Sequence, residues 1–306
     1  MHAPAMYKTI LVPFDGSALS ARAIPVATAL ARRTGASLQL ALVHDPSAYI
    51  PFVPGEMAIP IYDASLVSEH RAQDLAALNA AVAEITAQGV AASGVLLEGT
   101  IVEALVEHAQ SAGVDLTVMT THGRSGFARL RMGSVATAYL TRATAPVYLV
   151  RGADSDALPD FPKGTLLCTL DGSPFAEAIL PHAITFATAT GLTMALLSVT
   201  VPHAMPMAPF GAEALLVDDS ALALEEEGRR EYLTRIAARC PAGTTVHVVT
   251  DMSVASAIRE ESARTAAGAL AIATHGRGGV QRFVLGSVAD EVIRHASTPV
   301  LVFRPS

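Results

Sequence analysis

The chain repeats itself. The stretch THGRSGFARLRMGSVA, Thr121 to Ala136, returns as THGRGGVQRFVLGSVA, Thr274 to Ala289, with ten of sixteen positions identical. Farther upstream ILVPFDGS aligns with LLCTLDGS, and Asp15-Gly16-Ser17 becomes Asp171-Gly172-Ser173, 156 residues later. Pro25 and Pro181 each lie ten residues beyond their aspartate. Near the end of each copy APVYLVR (Ala145 to Arg151) matches TPVLVFR (Thr298 to Arg304) at an offset of 153, so the second copy has lost a net three residues in its middle. A period this long is not that of a solenoid of small stacked repeats. The 306 residues divide instead into two homologous domains, 1–152 and 162–306, joined by a linker at 153–161. That division agrees with a typical domain of about 150 residues.

Within one copy the hydrophobic period alternates. Tyr7–Val12, Leu38–Val43, Ala92–Leu97, Val114–Met119 and Val147–Val150 are short apolar runs that predict strands. Between them Ser20–Arg33, residues 64–88, Ile101–Ser111 and Gly133–Arg142 have helical spacing, with Thr34-Gly35 and Gly89 as stops. The order is βαβαβαβαβ in each half. Continuous apolar strands, rather than alternating ones, imply a parallel sheet covered on both faces. The expected fold is α/β: two doubly wound, five-stranded, Rossmann-like parallel-sheet domains in tandem. In such sheets ligands bind beyond the carboxyl ends of the strands, where the strand order reverses.

Composition narrows the function classes. Hydrophobic residues make up 51% and charged residues only 16%, enough apolar material for two cores and too little charge for a disordered chain. No apolar run approaches the ~18 residues of a membrane span, and the N-terminus lacks the pattern of a signal peptide. Two cysteines do not make a disulfide framework, so the expectation is a cytoplasmic protein with Cys168 and Cys240 structural. Residues 1–155 carry 10 basic and 12 acidic groups and the remainder 11 and 16, so neither half is a nucleic-acid surface. Basic residues gather locally at Arg124, Arg129 and Arg131, beside the repeated motif.

The motif sits where ligands are expected. Gly123 and Gly276 follow the fourth strand of each copy, and Gly133-Ser134 and Gly286-Ser287 open the next helix. A helix start presents unpaired amides and a positive dipole end to an anion. A glycine there lets the backbone approach, and the serine hydroxyl can donate to a phosphate oxygen. The earlier glycine permits positive φ or close contact. Arg124 and Arg277 are placed to reach the charge, and Asp15 and Asp171 to hold a sugar hydroxyl or a metal. His122 and His275, at matched positions, fit local hydrogen bonding or contact with a nucleobase or phosphate. The same residues also read as ordinary turn and cap chemistry.

The chain resembles the universal stress protein family in its tandem form. The carriers are ILVPFDGS and LLCTLDGS, the THGR…GS loops, and the closing APVYLVR and TPVLVFR. The nucleotide-binding pattern of that family, Gly-x2-Gly-x9-Gly-Ser/Thr, places its second and third glycines on Gly123 and Gly133, and on Gly276 and Gly286. Its serine falls on Ser134 and Ser287, its early aspartate on Asp15 and Asp171, and its adenine-side valine on Val43 and Val199. Pro13, Met119 and Val135 in the first copy, and Thr169, Ile272 and Val288 in the second, complete the implied site. The first glycine of the pattern is replaced by Thr120 and by Ala273, which crowds the site, Thr120 more than Ala273. The resemblance implies ATP as ligand, with Mg2+ or Mn2+ as its cation, in a stress-response protein with little or no catalysis. It also implies pairing of the two domains through PVYLV and PVLVF, and room for further homodimerisation.

Two rivals stand beside this. One is a nucleotide-free dimerisation or interaction scaffold, supported by Thr120 and Ala273. The other is an adenylating or pyrophosphatase-type enzyme, which needs a Ser-Gly-Gly run after the first strand that PFDGSAL and TLDGSPF lack. P-loop, dinucleotide and nucleophile-elbow strings are absent, as is any metal-ligand spacing. The proline- and methionine-rich segments 45–65 and 201–220 follow strand two in each copy. They read as surface loops or as lids beside the adenine edge. For lids, limited proteolysis should show protection of both segments on addition of ATP; identical cutting with and without ATP contradicts that role.

Overall fold

The computed structural model describes residues 7–45, 64–121, 132–151, 161–202, 204–206, 215–217, 219–274 and 285–305. Two compact units emerge, residues 6–161 and 162–306. The first contains β1 (Thr9–Pro13), α1 (Ala18–Ala21), α2 (Ala23–Thr34), β2 (Ser37–His44) and α3 (Ala64–Ala87), followed by β3 (Ala92–Glu98), α4 (Ile101–Ser111), β4 (Leu116–Thr120), α5 (Ser134–Leu140) and β5 (Val147–Val150). The second contains β6 (Thr165–Thr169), α6 (Pro174–Glu177), α7 (Leu180–Thr190), β7 (Thr193–Thr200), β8 (Ala204–Pro206) and β9 (Leu215–Val217). It continues with α8 (Asp219–Ala237), β10 (Thr245–Thr250), α9 (Val254–Arg264), β11 (Ala267–Ala273), α10 (Ser287–His295) and β12 (Val300–Phe303).

In the first unit the sheet order is β3-β2-β1-β4-β5, and in the second β10-β7-β6-β11-β12, with every one of these neighbouring pairs parallel. The order reverses at β1 and at β6. Right-handed crossovers then put α2 and α3 on one face and α4 and α5 on the other. Consistent with this, α4 packs on α5 and α9 on α10. The central strands are buried along their length: Ile10, Leu11 and Val12 in β1, and Leu166, Leu167 and Cys168 in β6, are wholly inaccessible. These are the continuous apolar runs that read as a doubly covered sheet.

The helix expected over Ser20–Arg33 is broken at Arg22 into α1 and α2. Pro25 has no N–H to bond the carbonyl four residues back, so the ladder cannot run through it. Pro181 does the same between α6 and α7. Ser17 and Ser173 cap α1 and α6, their hydroxyls accepting from the Ser20 and Ala176 amides. Both copies then stop their second helix at a left-handed glycine, Gly35 at φ 75° and Gly191 at φ 76°. Segment 201–220, read as irregular, contains the short antiparallel pair β8–β9; residues 46–63 lie outside the described residues. Cys168 and Cys240 are free and buried.

The copies secure the start of their first strand differently. Asp115 Oδ2 accepts from the Lys8 amide at 2.8 Å and from the Thr9 amide at 2.9 Å. Its counterpart in the second unit is Gly268, which sits at a register shift in β11, where a Cβ would stand 1.9 Å from the Lys163 carbonyl oxygen. Glycine is required there by backbone proximity. Gly268→Ala should therefore lower stability by about 2–3 kcal/mol, whereas Gly228→Ala, in exposed α8 with open space around it, should raise it by about 1 kcal/mol. Urea midpoints of the two variants check both signs.

Candidate functional site

Register assembles the site at the carboxyl ends of the central strands. Pro13 of β1 pairs with Ala41 of β2, so Val43 and His44 extend beyond the end of β1. On the other flank Leu11 opposes Thr117, which sets Pro13 level with Met119 of β4. The second copy repeats this. Thr169 pairs with Leu197 so that Val199 runs on past β6, and Cys168 opposes Ala271, which brings Thr169 level with Ile272. Met119 and Ile272 are buried, and Pro13 and Thr169 are half-buried. Six proposed site residues, His122, Gly123, Arg124, His275, Gly276 and Arg277, lie outside the described residues.

The aspartates are built into the loop after the first strand. Asp15 Oδ1 accepts the Ser17 amide at 2.9 Å, and the Asp15 amide donates to Ser20 Oγ at 3.2 Å. Asp171 Oδ1 accepts both the Ser173 amide at 2.9 Å and the Ser173 hydroxyl at 2.6 Å. One oxygen of each carboxylate is thus committed to shaping the turn, which fixes the side chain's direction. Among the described residues no three His, Cys, Asp or Glu side chains gather as they would around a metal ion.

The helix starts differ sharply from one another. Serine side chains cap α1, α6 and α9, through Ser17, Ser173 and Ser253. By contrast α5 and α10 begin after Gly133 and Gly286, and neither has a side-chain cap hydrogen bond. These glycines have φ −59°, ψ 149° and φ −56°, ψ 146°, extended backbone that any residue adopts. The turn itself therefore does not demand glycine. What glycine supplies here is the missing Cβ and the missing competitor for the helix amides. Ser134 and Ser287 are exposed, and Val135 and Val288 are half-buried. In the first unit the Gly133 amide donates to the Thr121 carbonyl at 2.6 Å, tying the helix start to the end of β4.

Two residues at this edge escaped sequence reading. His44 is buried beside Val43, with Nδ1 2.8 Å from Asp74 Oδ2 on α3. Its signal was weak because the matched position in the second copy is Thr200. There the neighbouring support is different: Arg229 Nη1 donates to Ser198 Oγ at 2.9 Å while its Nη2 pairs with Glu225 at 2.9 Å. Arg151, directly after β5, is half-buried. Burial pulls its pKa down to about 10, which leaves it cationic at neutral pH.

The sequence model described as "Universal stress protein family" matches residues 6–151 and again residues 164–304. The chain belongs to the universal stress protein family. Relatives in this family include a universal stress protein of Mycolicibacterium smegmatis, 30% identical over 67% of this chain and 66% of its own length. Another, from Mycobacterium tuberculosis, is 32% identical over 67% of this chain and 66% of its own length. The matched region thus spans just under two thirds of those mycobacterial proteins. A universal stress protein structure from Archaeoglobus fulgidus shares the fold with TM-score 0.67 at 22% identity, covering 97% of this chain and 98% of that one. One from Pseudomonas aeruginosa has TM-score 0.65 at 16% identity, covering 98% and 94%. Among the described residues no helix is long and apolar enough to cross a membrane.

For this universal stress protein the uncapped helices give a simple test of apo stability. A serine at position 286 restores the acceptor that α10 lacks, so Gly286→Ser should raise the apo unfolding free energy by a few tenths of a kcal/mol. Urea denaturation without nucleotide measures it, and a loss of stability contradicts the assignment of Gly286 as an uncapped start.

Proposed function

We propose that each domain is built to bind ATP at the carboxyl edge of its sheet, in a cytoplasmic stress-response protein that assigns little or no catalysis to the bound nucleotide. One observation carries this: the two helices that begin at Gly-Ser in the repeated motif have no side-chain cap on their first turns, and their serines are exposed. Backbone amides and a hydroxyl at a helix start suit phosphate oxygens. The duplicated motif and its resemblance to the family's nucleotide-binding pattern support the same ligand.

In this proposal Gly133, Ser134 and Val135, with Gly286, Ser287 and Val288, hold the phosphate chain. Arg124, Arg277, His122, His275, Gly123 and Gly276 complete the loop. Val43 and Val199 meet the adenine, flanked by Pro13, Met119, Thr169 and Ile272. Asp15 and Asp171 address the ribose. Mg2+ or Mn2+ arrives with the phosphates, which supply the ligands a divalent cation prefers. No proton-transfer role is assigned to the aspartates, since each is engaged in its own turn. Self-association with a second copy belongs to the same proposal.

A second reading, a nucleotide-free scaffold, is favoured by Thr120, whose buried side chain stands where the family pattern has glycine. Isothermal titration separates the two. ATP should release heat on binding the wild-type chain and none on binding the double variant Gly133→Val, Gly286→Val, since valine accepts the local backbone but fills the approach. Equal heats from both proteins would falsify ATP binding at these helices.

A further inference from the structure

The two copies of the site are not equivalent, and the difference centres on the residue after the fourth strand. The Thr274 amide donates to the Phe303 carbonyl at 2.8 Å, so the β11 ladder, and with it the alternation of side chains, continues through Thr274. In the first unit Thr117 Oγ1 is 2.9 Å from the hydroxyl of Tyr139 on α5. Residues 117, 119 and 121 therefore face α5, and by the same alternation 270, 272 and 274 face α10. In the first unit the matched pair Thr121 and Gly133 is joined by a backbone hydrogen bond; in the second the strand alternation turns Thr274 toward α10.

Thr274 is wholly buried, and its hydroxyl has no hydrogen-bond partner among the described residues. A buried hydroxyl without a partner is costly, and native chains keep few of them. Thr121, its counterpart, is engaged. One residue earlier the contrast continues: Thr120 is buried and engaged, whereas the second copy has Ala273, without a hydroxyl or γ-carbon. At α10 the one acid of the first turn, Asp290, is held by Arg294 at 2.7 Å, which offsets its repulsion of an anion.

We propose that the two domains are unequal, and that the second unit alone takes the nucleotide tightly, with the Thr274 hydroxyl as a donor to a phosphate oxygen. This rests on the nucleotide-binding proposal above and adds which copy binds and through which further residue. The unsatisfied hydroxyl then finds its partner in the ligand. In the first unit the matched Thr121 is already engaged, so no orphaned hydroxyl waits there for a ligand.

Titration of the full chain with ATP and Mg2+, together with thermal midpoints of the ligand-free proteins, tests this. One tight site per chain is expected, abolished by Gly286→Val and retained in Gly133→Val. Thr274→Val should weaken ATP by about tenfold, the loss of one hydrogen bond to a charged group. It should leave the ligand-free midpoint unchanged or raised, because an unsatisfied polar atom has been removed. Thr121→Val, the matched control, should leave affinity unchanged. Two equivalent sites, loss of binding in Gly133→Val alone, or a Thr274→Val protein with lower midpoint and unaltered affinity would each overturn the inequality while leaving nucleotide binding intact. No heat from the wild type removes both proposals together.

Discussion

A helix whose first amides no side chain claims is the constraint from which the functional account grows. In α1, α6 and α9 a serine is spent on that task, at Ser17, Ser173 and Ser253. At α5 and α10 a glycine stands instead, in a conformation that needs no glycine. The absent side chain therefore matters for what it leaves open. Parallel topology sets the location. Strand order reverses at β1 and β6, and crossovers on opposite faces leave a crevice at their carboxyl ends. Helix starts, aspartate turns and the valines of β2 and β7 all reach the sheet at that edge.

Duplication has preserved this arrangement while its supports diverged. Asp115 ties down the start of β1 with a carboxylate, and Gly268 replaces it with bare backbone packed on Lys163. His44 with Asp74 braces the end of β2, and Arg229 with Ser198 and Glu225 braces β7. Different chemistry holds the same strand ends in place. The carboxyl edge of the sheet has diverged less in its helix starts than in the residues just before them, where Thr120 and Ala273 differ in bulk.

Much of the fold was legible because the physics was local and duplicated. Buried β1 and β6 read as unbroken apolar runs, and a left-handed glycine ends the next helix in each copy as Thr34-Gly35 suggested. Pro25 was visible as a matched residue, yet helical spacing ran on through it, since periodicity records faces and not missing amides. The β8–β9 pair was hidden because three-residue strands are too short to show a period. His44 was hidden because Thr200 broke the match between copies, and its partner Asp74 lies on another element. Orphaned Thr274 could not be read from sequence at all: a hydroxyl without a partner is a property of packing.

Amide chemical shifts of the labelled full chain test the central claim most directly. Titration with ATP and Mg2+ should move the backbone amide resonances of Ser287, Val288 and Ala289, at the uncapped start of α10, while those of Val254 and Ala255, at the serine-capped start of α9, stay in place. Unmoved resonances at 287–289 under saturating nucleotide would contradict the account.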